Sequence, residues 1–181
     1  TGAGADEAQG VQNEIDLYFS TFVKSMGSIG AFISGPKAVL KYLRYNTRSQ
    51  IFAKSLPLLI VNGMLKRMEM VLSMPELRTK LWENVERLQT GLKERGFDIG
   101  GTNSPVTPIF MKGDVPEATQ MVMDLRENYH IFCSIVVFPV IPKGDIIYRL
   151  IPTAVHSFED IDVTLKAFEE TKKKLDAGKY K

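Results

Sequence analysis

Residues 131–151 read IFCSIVVFPVIPKGDIIYRLI, and this stretch decides the fold class. Two apolar runs of strand length, Ile131–Phe138 and Ile146–Ile151, stand on either side of a turn that contains proline and glycine. Apolar residues at helical spacing precede them over Val115–Glu127 and follow them over Ser157–Leu175. Strands that alternate with helices in this way predict an α/β domain of modest size.

A long amphipathic helix and two further strands are predicted directly before this region. The helix covers Glu76–Arg95, and Gly96 suits its C-terminal end. Phe97–Ile99 and Val106–Met111 have the composition of strands. The apolar stripe of the helix consists of Leu77, Leu81, Val85, Leu88 and Leu92.

The first part of the chain is predicted to hold two short strands and two helices. Ile15–Phe22 and Ala31–Ser34 are apolar runs of strand length, and Pro36 suits the first turn of a helix. Leu56–Ser73 has apolar residues at helical spacing.

The composition is that of an ordinary globular protein. Of the 181 residues, 44% are hydrophobic and 24% are charged, which excludes a disordered or low-complexity chain. The net charge is +2 and the charges are spread along the chain, so we expect neither nucleic acid nor a membrane surface as a partner. No apolar run approaches the roughly 18–20 residues of a membrane span.

The cysteine and histidine content predicts no disulfide framework and no metal site. Cys133 is the single cysteine, lies in an apolar run and favours a reducing, cytoplasmic compartment. His130 and His156 are the two histidines, and no further ligands stand at chelating spacing. We interpret Cys133 as a buried small residue and both histidines as structural.

Lys24 is the first candidate for chemistry, because it follows a predicted strand and precedes a Gly/Ser turn. One interpretation is a surface lysine at a strand end. The other is a lysine that forms a Schiff base, which needs hydroxyl and backbone donors nearby to hold a phosphate. Ser20, Thr21 and Ser25 are suitable neighbours.

Arg149 and the segment 44–57 are two further candidates, each with two interpretations. Arg149 is one charge inside an apolar strand, so it lies either at a sheet edge with its head in water or directed at an anion such as a carboxylate. The segment 44–57 is rich in polar and basic residues. It is either an exposed loop or a loop that faces a phosphate or another subunit.

Together these segments resemble the alpha-oxoamine synthase family of pyridoxal-phosphate-dependent enzymes, which are class II aminotransferase-like proteins of fold type I. Three anchors occur in the order of the family. Residues 16–35 resemble its strand, lysine loop and glycine-containing strand. Residues 48–57 resemble its Arg-Pro-x-x-Phe region. Residues 139–157 resemble its carboxylate-binding arginine and the His-containing continuation.

The resemblance implies the following fold, cofactor and site. The chain is expected to be the C-terminal half of such an enzyme. Residues 1–55 would be the end of the large-domain sheet, 56–74 a connecting helix, and 75–181 a C-terminal α/β domain with a small, mainly antiparallel sheet. Pyridoxal 5'-phosphate is the implied cofactor. Lys24 is the implied catalytic and cofactor-binding lysine, Thr21 contacts the phosphate, and Arg149 holds the substrate carboxylate.

The resemblance also implies an activity and an assembly. The reaction condenses an amino acid with an acyl-CoA in a homodimer whose subunits share the active site. Within the family, Pro142-Lys143-Gly144 before Arg149 favours glycine C-acetyltransferase (2-amino-3-ketobutyrate CoA ligase), and other residues favour serine palmitoyltransferase. The activity of 8-amino-7-oxononanoate synthase and a non-catalytic partner subunit are further alternatives.

Some residues depart from the family pattern. Val23 stands in place of a small residue, and Ala31 in place of a glycine. Ala53 and Lys54 stand where the family has a hydroxyl residue that reaches the neighbouring subunit's phosphate, and Lys54 is expected to replace it as a point charge. The chain begins at Thr1, without the Asp-x-Ala-His segment that the family carries upstream, so we expect this polypeptide to be inactive by itself.

Overall fold

The computed structural model describes residues 1–180, which form two compact units. The first unit is Thr1–Pro75, and the second begins at Glu76. The predicted division into residues 1–55, 56–74 and 75–181 stays a prediction. No helix among the described residues is long and apolar enough to cross a membrane.

The first unit contains a hairpin and four α-helices. The strands β1 (Tyr18–Thr21) and β2 (Ala31–Ser34) pair antiparallel, with Thr21 opposite Ala31. The helices are α1 (Ala5–Gln9), α2 (Lys37–Asn46), α3 (Arg48–Phe52) and α4 (Leu58–Ser73). Pro36 and Pro57 stand at the N-cap positions of α2 and α4, where the fixed φ of proline and its missing N–H are tolerated.

The segment 44–57 is not a plain loop. It contains α3, which is about one and a half helical turns long. No residue of α3 is buried, and the segment has no apolar stripe from which a helix could have been predicted. Met64 in α4 is the single buried hydrophobic residue of the first unit among those described.

The second unit is a three-stranded antiparallel sheet with helices against one face. Its strands are β3 (Thr107–Lys112), β4 (Ser134–Val136) and β5 (Asp145–Leu150), in the order β3-β5-β4. The helices are α5 (Pro75–Glu94), α6 (Val115–Tyr129) and α7 (Phe158–Asp176). Alternate residues of β5 are buried with residues of all three helices, and these are Ile146, Tyr148 and Leu150.

The predicted strand over Ile131–Phe138 is too long, and only Ser134–Val136 pairs. His130 ends α6 in a left-handed conformation, at φ 58°, and the chain then enters the core with Cys133 buried before pairing begins. Phe97–Ile99 likewise gives only one bridge, between Asp98 and Phe110. In Phe97–Ile99 the apolar residues are buried without pairing, whereas in 131–138 Cys133 is buried and Phe132 and Phe138 are exposed, so an apolar run does not by itself indicate strand pairing.

The ends of the long helices agree with the local sequence signals. Pro75 begins α5, as its position before Glu76 suggests. Ser157 caps α7: the Asp160 N–H donates to Ser157 Oγ at 3.1 Å, and the Ser157 N–H donates to Asp160 Oδ2 at 2.8 Å. Aspartate therefore completes the capping box in place of the usual Glu or Gln. Hydrogen bonds from Ser157 lower the pKa of Asp160.

Candidate functional site

Lys24 lies in the loop that joins β1 to β2, and we call residues 18–34 the lysine hairpin. Three backbone hydrogen bonds close this loop. The Phe22 N–H donates to Gly30 O at 3.0 Å, and the Ser28 N–H donates to Phe22 O at 2.8 Å. The Gly27 N–H donates to Lys24 O at 3.0 Å. The loop therefore has a defined conformation around the lysine.

Aromatic packing separates the two faces of the lysine hairpin. Phe32 stacks on Phe22 at 5.6 Å and on Tyr18 at 6.0 Å between ring centroids. Because side chains alternate along a strand, Thr21 projects from the other face, and it is exposed. Lys24 is exposed as well, and no carboxylate of residues 1–180 lies within ion-pair distance of it.

Lys54 lies in the extended segment between α3 and α4, and this segment contacts the lysine hairpin through Leu56. A Cβ placed on Gly30 would lie 2.8 Å from Leu56 Cδ1, and Gly30 has φ 99°, so both space and backbone require glycine there. Lys54 is exposed. The structure thus brings the segment that carries Lys54 against the hairpin that carries Lys24 and Thr21.

Arg149 lies in the second unit on β5, the central strand of the sheet, so the sheet-edge interpretation is wrong. Its neighbours Tyr148 and Leu150 point into the core, and Arg149 projects from the opposite, open face. Arg149 Nε donates to Ser134 Oγ at 3.1 Å, directly across the β4–β5 ladder. The terminal guanidinium nitrogens have no acceptor among the described residues and can form a bidentate pair with a carboxylate.

The loop that follows β5 is fixed by hydrogen bonds from the buried side-chain amide of Asn84. Asn84 Nδ2 donates to Thr153 O and to His156 O, each at 2.9 Å. The Thr153 N–H donates to His156 Nδ1 at 3.1 Å, which closes the turn. His156 therefore organises main chain, in agreement with its structural interpretation, and the loop fixes where β5 ends.

Two buried reactive groups of the second unit lie away from any open face. Burial raises the pKa of Cys133 to about 11, so its thiol is not a nucleophile. Burial also raises the pKa of Tyr148, whose hydroxyl has no hydrogen-bond partner among the described residues. Within residues 1–180, no group of three or more His, Cys, Asp and Glu is arranged to hold a metal ion.

Sequence reasoning missed two residues that organise the candidate site, Ser134 and Asn84. Ser134 faces Arg149 only because of the β4–β5 register, which depends on residues that are distant in the chain. Asn84 stands among charged and polar residues on a surface helix, but it is completely buried. The one feature of the sequence that could have indicated its burial is that Asn84 directly precedes Val85, which belongs to the apolar stripe of the helix.

The fold identifies a class of protein. Serine palmitoyltransferase from Sphingomonas wittichii superposes on this chain with a TM-score of 0.86 at 28% sequence identity, over 94% of this chain and 43% of that chain. The lysine hairpin and the three-stranded antiparallel sheet are therefore the C-terminal part of a fold type I transferase dependent on pyridoxal 5'-phosphate, as predicted.

The family follows from the sequence comparisons. The model of the family described as "Aminotransferase class I and II" matches residues 1–168 of the chain. The chain therefore belongs to this family. A cysteate-C-fatty acyltransferase from Capnocytophaga ochracea is 63% identical over 180 residues, covering 99% of this chain and 43% of that protein. A serine palmitoyltransferase from Sphingobacterium spiritivorum is 36% identical over 161 residues, covering 89% of this chain and 40% of that protein.

The chain thus spans less than half the length of the curated relatives it matches. These relatives are acyltransferases of the alpha-oxoamine synthase type, which confirms the predicted enzyme family, and the cofactor is pyridoxal 5'-phosphate.

Proposed function

We propose that the whole protein transfers a fatty acyl group to the α-carbon of cysteate. The observation that carries this proposal is the 63% identity to a cysteate-C-fatty acyltransferase over 99% of the chain, against 36% to a serine palmitoyltransferase. The acyl donor is an acyl-CoA thioester. We assign the substrate of the relative with the higher sequence identity, because that identity extends across both units of the chain.

The lysine hairpin fits the cofactor. Lys24 has an exposed amine with no carboxylate of residues 1–180 at ion-pair distance, and the hydroxyls of Thr21 and Ser25 stand within the same short segment. An amine and a set of hydroxyl donors suit an aldehyde and a phosphate. Bound pyridoxal 5'-phosphate supplies the electron sink for a carbanion at the amino-acid α-carbon. Lys24 Nζ would hold the cofactor and, once the amino group of the substrate has displaced it, would take the α-proton, and Thr21 Oγ1 would donate to the phosphate.

Arg149 binds the carboxylate of the amino acid. Its Nε donates to Ser134 Oγ, so the N–H groups of the two terminal nitrogens stay available and donate to a carboxylate in a bidentate geometry. Fixing the carboxylate also fixes which bond at the α-carbon is labile, since the amino group is held at the cofactor.

Lys54 contributes a positive charge to the phosphate of the neighbouring subunit, in a homodimer that shares its active sites. The contact of Leu56 with Gly30 fixes the backbone two residues after Lys54, while the Lys54 side chain stays exposed and available to a phosphate outside its own subunit. Lysine acts on phosphate as a point charge and does not need the geometry of the hydroxyl it replaces. We further propose a cytoplasmic location, which agrees with the single free cysteine.

Glycine C-acetyltransferase and serine palmitoyltransferase are the activities that the same assay must separate from the proposed one. Pro142-Lys143-Gly144 led to the prediction of the first, but three residues carry less weight than agreement along the whole chain. The expected order of kcat/KM for the full-length enzyme is cysteate with a long-chain acyl-CoA above serine, and serine above glycine. Glycine with acetyl-CoA as the best pair would contradict the proposal.

The role of Lys24 is tested in the same full-length enzyme. Lys24→Ala is expected to abolish the visible absorbance of covalently bound pyridoxal phosphate and all turnover, while Lys80→Ala, a matched exposed lysine of α5, retains both. Turnover in Lys24→Ala would overturn the assignment and would favour the non-catalytic interpretation of this segment.

We also propose that the 181-residue polypeptide is inactive alone, because its relatives carry more than half of their length outside the matched part. Adding pyridoxal phosphate to it is expected to give no saturable absorbance band and no product.

A further inference from the structure

The alternation of buried and exposed residues along β5 continues past the end of the strand. Leu150 is buried, and so is Pro152, two residues further along. Arg149 is exposed, and so are Ile151 and Thr153. Because successive side chains of an extended chain point to opposite sides, Ile151 and Thr153 project from the same open face as Arg149. The face that carries the proposed carboxylate site therefore extends to Thr153.

The main chain of Thr153 is fixed by side chains of two other residues. Its N–H donates to His156 Nδ1 at 3.1 Å, and its carbonyl oxygen accepts from Asn84 Nδ2 at 2.9 Å. The same oxygen accepts from the His156 N–H at 3.3 Å. Asn84 is completely buried, and a buried amide is costly unless its donors are used, so this anchor is a strong one. Thr153 consequently has a defined position at the end of the open face.

The hydroxyl of Thr153 takes no part in this anchoring. The side chain is exposed, and no hydrogen bond joins Oγ1 to another of the described residues. A threonine hydroxyl has one proton to donate and rotates to suit its acceptor. Thr153 therefore presents an unpaired donor, on a fixed main chain, beside the arginine that we propose to hold the substrate carboxylate.

The spacing of Arg149 and Thr153 suits a short molecule with an acid group at each end. A strand rises about 3.3 Å per residue and its side chains stand roughly perpendicular to the sheet, so the two side chains are about 13 Å apart along the face. One hydrogen bond of about 2.9 Å at each end leaves a gap of about 7 Å. Cysteate carries its carboxylate and its sulfonate on adjacent carbons and can span this gap, with its carbon chain over Ile151.

We propose that Thr153 determines amino-acid specificity by donating a hydrogen bond from its hydroxyl to the sulfonate of cysteate. This inference rests on the proposed function, in which Arg149 holds the carboxylate of the same molecule. The oxygens of an ionised sulfonate only accept, so a hydroxyl that faces them forms a charge-assisted hydrogen bond. Serine has no acid group on its β-carbon, and its shorter side chain leaves Thr153 unpaired. The contact consequently favours cysteate over serine.

Kinetics of the full-length enzyme with two amino acids test this contact. Thr153→Val removes the hydroxyl and keeps the shape of the side chain, whereas Thr153→Ser keeps the hydroxyl. Thr90→Val, at an exposed threonine of α5, is the matched control. KM and kcat are measured for each variant with cysteate and with serine. Binding of each amino acid in the absence of acyl-CoA is followed by the change in visible absorbance of the bound pyridoxal phosphate.

Thr153→Val is expected to raise KM for cysteate about tenfold with little change in kcat, and to change KM for serine by less than about twofold. Thr153→Ser and Thr90→Val should both behave as the wild type. Equal rises in KM for the two amino acids, or no rise for cysteate, would overturn the role of Thr153.

The binding measurement separates this role from the proposed function. A wild type that binds cysteate with an affinity that depends on Thr153, but transfers the acyl group only to serine, would refute the proposed function alone. A wild type that transfers the acyl group to cysteate equally well after Thr153→Val would refute the role of Thr153 alone. A wild type that binds serine and does not bind cysteate would refute both.

Discussion

At the scale of single residues, hydrogen bonding decides how Arg149 can act. The side chain is long and exposed, and a free guanidinium on an open sheet face would sample many rotamers. The bond from Arg149 Nε to Ser134 Oγ limits these rotamers while leaving two nitrogens available. Ser134 is in this sense a positioning residue, and its effect should appear in substrate binding rather than in the chemical step.

Replacing Ser134 in the full-length enzyme tests this role. Ser134→Ala should raise KM for the amino acid roughly fivefold, which corresponds to about 1 kcal/mol, with little change in kcat. Ser134→Thr retains the hydroxyl and should restore the wild-type KM. An unchanged KM in the alanine variant, or a threonine variant as weak as alanine, would remove Ser134 from the site.

The unpaired hydroxyl of Tyr148 gives a second residue-scale prediction. Tyr148→Phe removes a buried polar group without a partner among the described residues, so unfolding in urea should show a stability gain of about 1 kcal/mol. Tyr129→Phe is the matched control. Its hydroxyl donates to Glu170 at 2.8 Å, and its loss should cost about 1 kcal/mol. A destabilised Tyr148→Phe would reveal a buried water as the missing partner.

At the scale of elements, the crossing of α5 and α7 depends on one glycine. A Cβ on Gly91 would overlap Leu165 Cδ1, and Leu165 is itself buried, so it has no space into which to move. Gly91→Ala should therefore cost about 1–3 kcal/mol in urea unfolding, although alanine favours helix.

Gly63 in α4 is the contrasting position. A Cβ there meets only the flexible end of Arg67, 3.3 Å away, so Gly63→Ala should stabilise the protein by up to about 1 kcal/mol. If both variants shifted stability in the same direction, contact geometry would not explain the result at Gly91.

The ends of α6 and α7 are joined by a charge network whose strength depends on pH. Lys174 Nζ and Asn128 Nδ2 each donate to Asp124 at 2.7 Å, and the hydroxyl of Tyr180 donates to it as well. Burial alone would raise the pKa of Asp124, but these hydrogen bonds outweigh it and the net pKa is lowered. The network therefore stabilises the second unit fully above about pH 4, the usual aspartate pKa, and less as pH falls below that value.

Urea midpoints measured at neutral and acidic pH check this dependence. Asp124→Asn should lower the midpoint at neutral pH and reduce its fall on acidification, whereas the exposed Asp176→Asn should change neither. A wild-type pH dependence that survives intact in Asp124→Asn would exclude this carboxylate as its source.

The elements also show what a sequence can reveal and what it cannot. Pro75 and Ser157 mark helix starts by local chemistry, so both starts were predictable. The strand over 131–138 was overpredicted because an apolar run does not show which of its residues pair with a neighbouring strand. Lys24, Thr21 and Arg149 could be nominated from a family resemblance. That Ser134 faces Arg149 could not be predicted, because the register of β4 against β5 depends on two segments that are distant in the sequence.

At the scale of the whole molecule, the two units differ in how much core they contain. The buried hydrophobic cluster lies entirely within the second unit, beginning at Leu88, whereas the first unit buries Met64 alone among its described hydrophobic residues. Many large apolar side chains of the first unit are exposed, including Phe52 at 79% and Leu59 at 83%. Such a surface is characteristic of a segment that is completed by other protein.

Separate expression of the two units checks this difference. Residues 76–181 should unfold cooperatively and protect core amides from hydrogen exchange, whereas residues 1–75 should show neither property, because they lack buried area to offset chain entropy. Cooperative unfolding of residues 1–75 would contradict the inference.

The burial of Cys133 makes the protein its own conformational probe. The chain has one thiol, its exposed fraction is 5%, and its pKa is raised to about 11, so alkylating dyes cannot label it in the native state. Labelling then requires the second unit to open, and the rate of dye incorporation reports that opening directly. The kinetic stability of this unit can consequently be followed on the purified chain, with the wild-type sequence and without an introduced label.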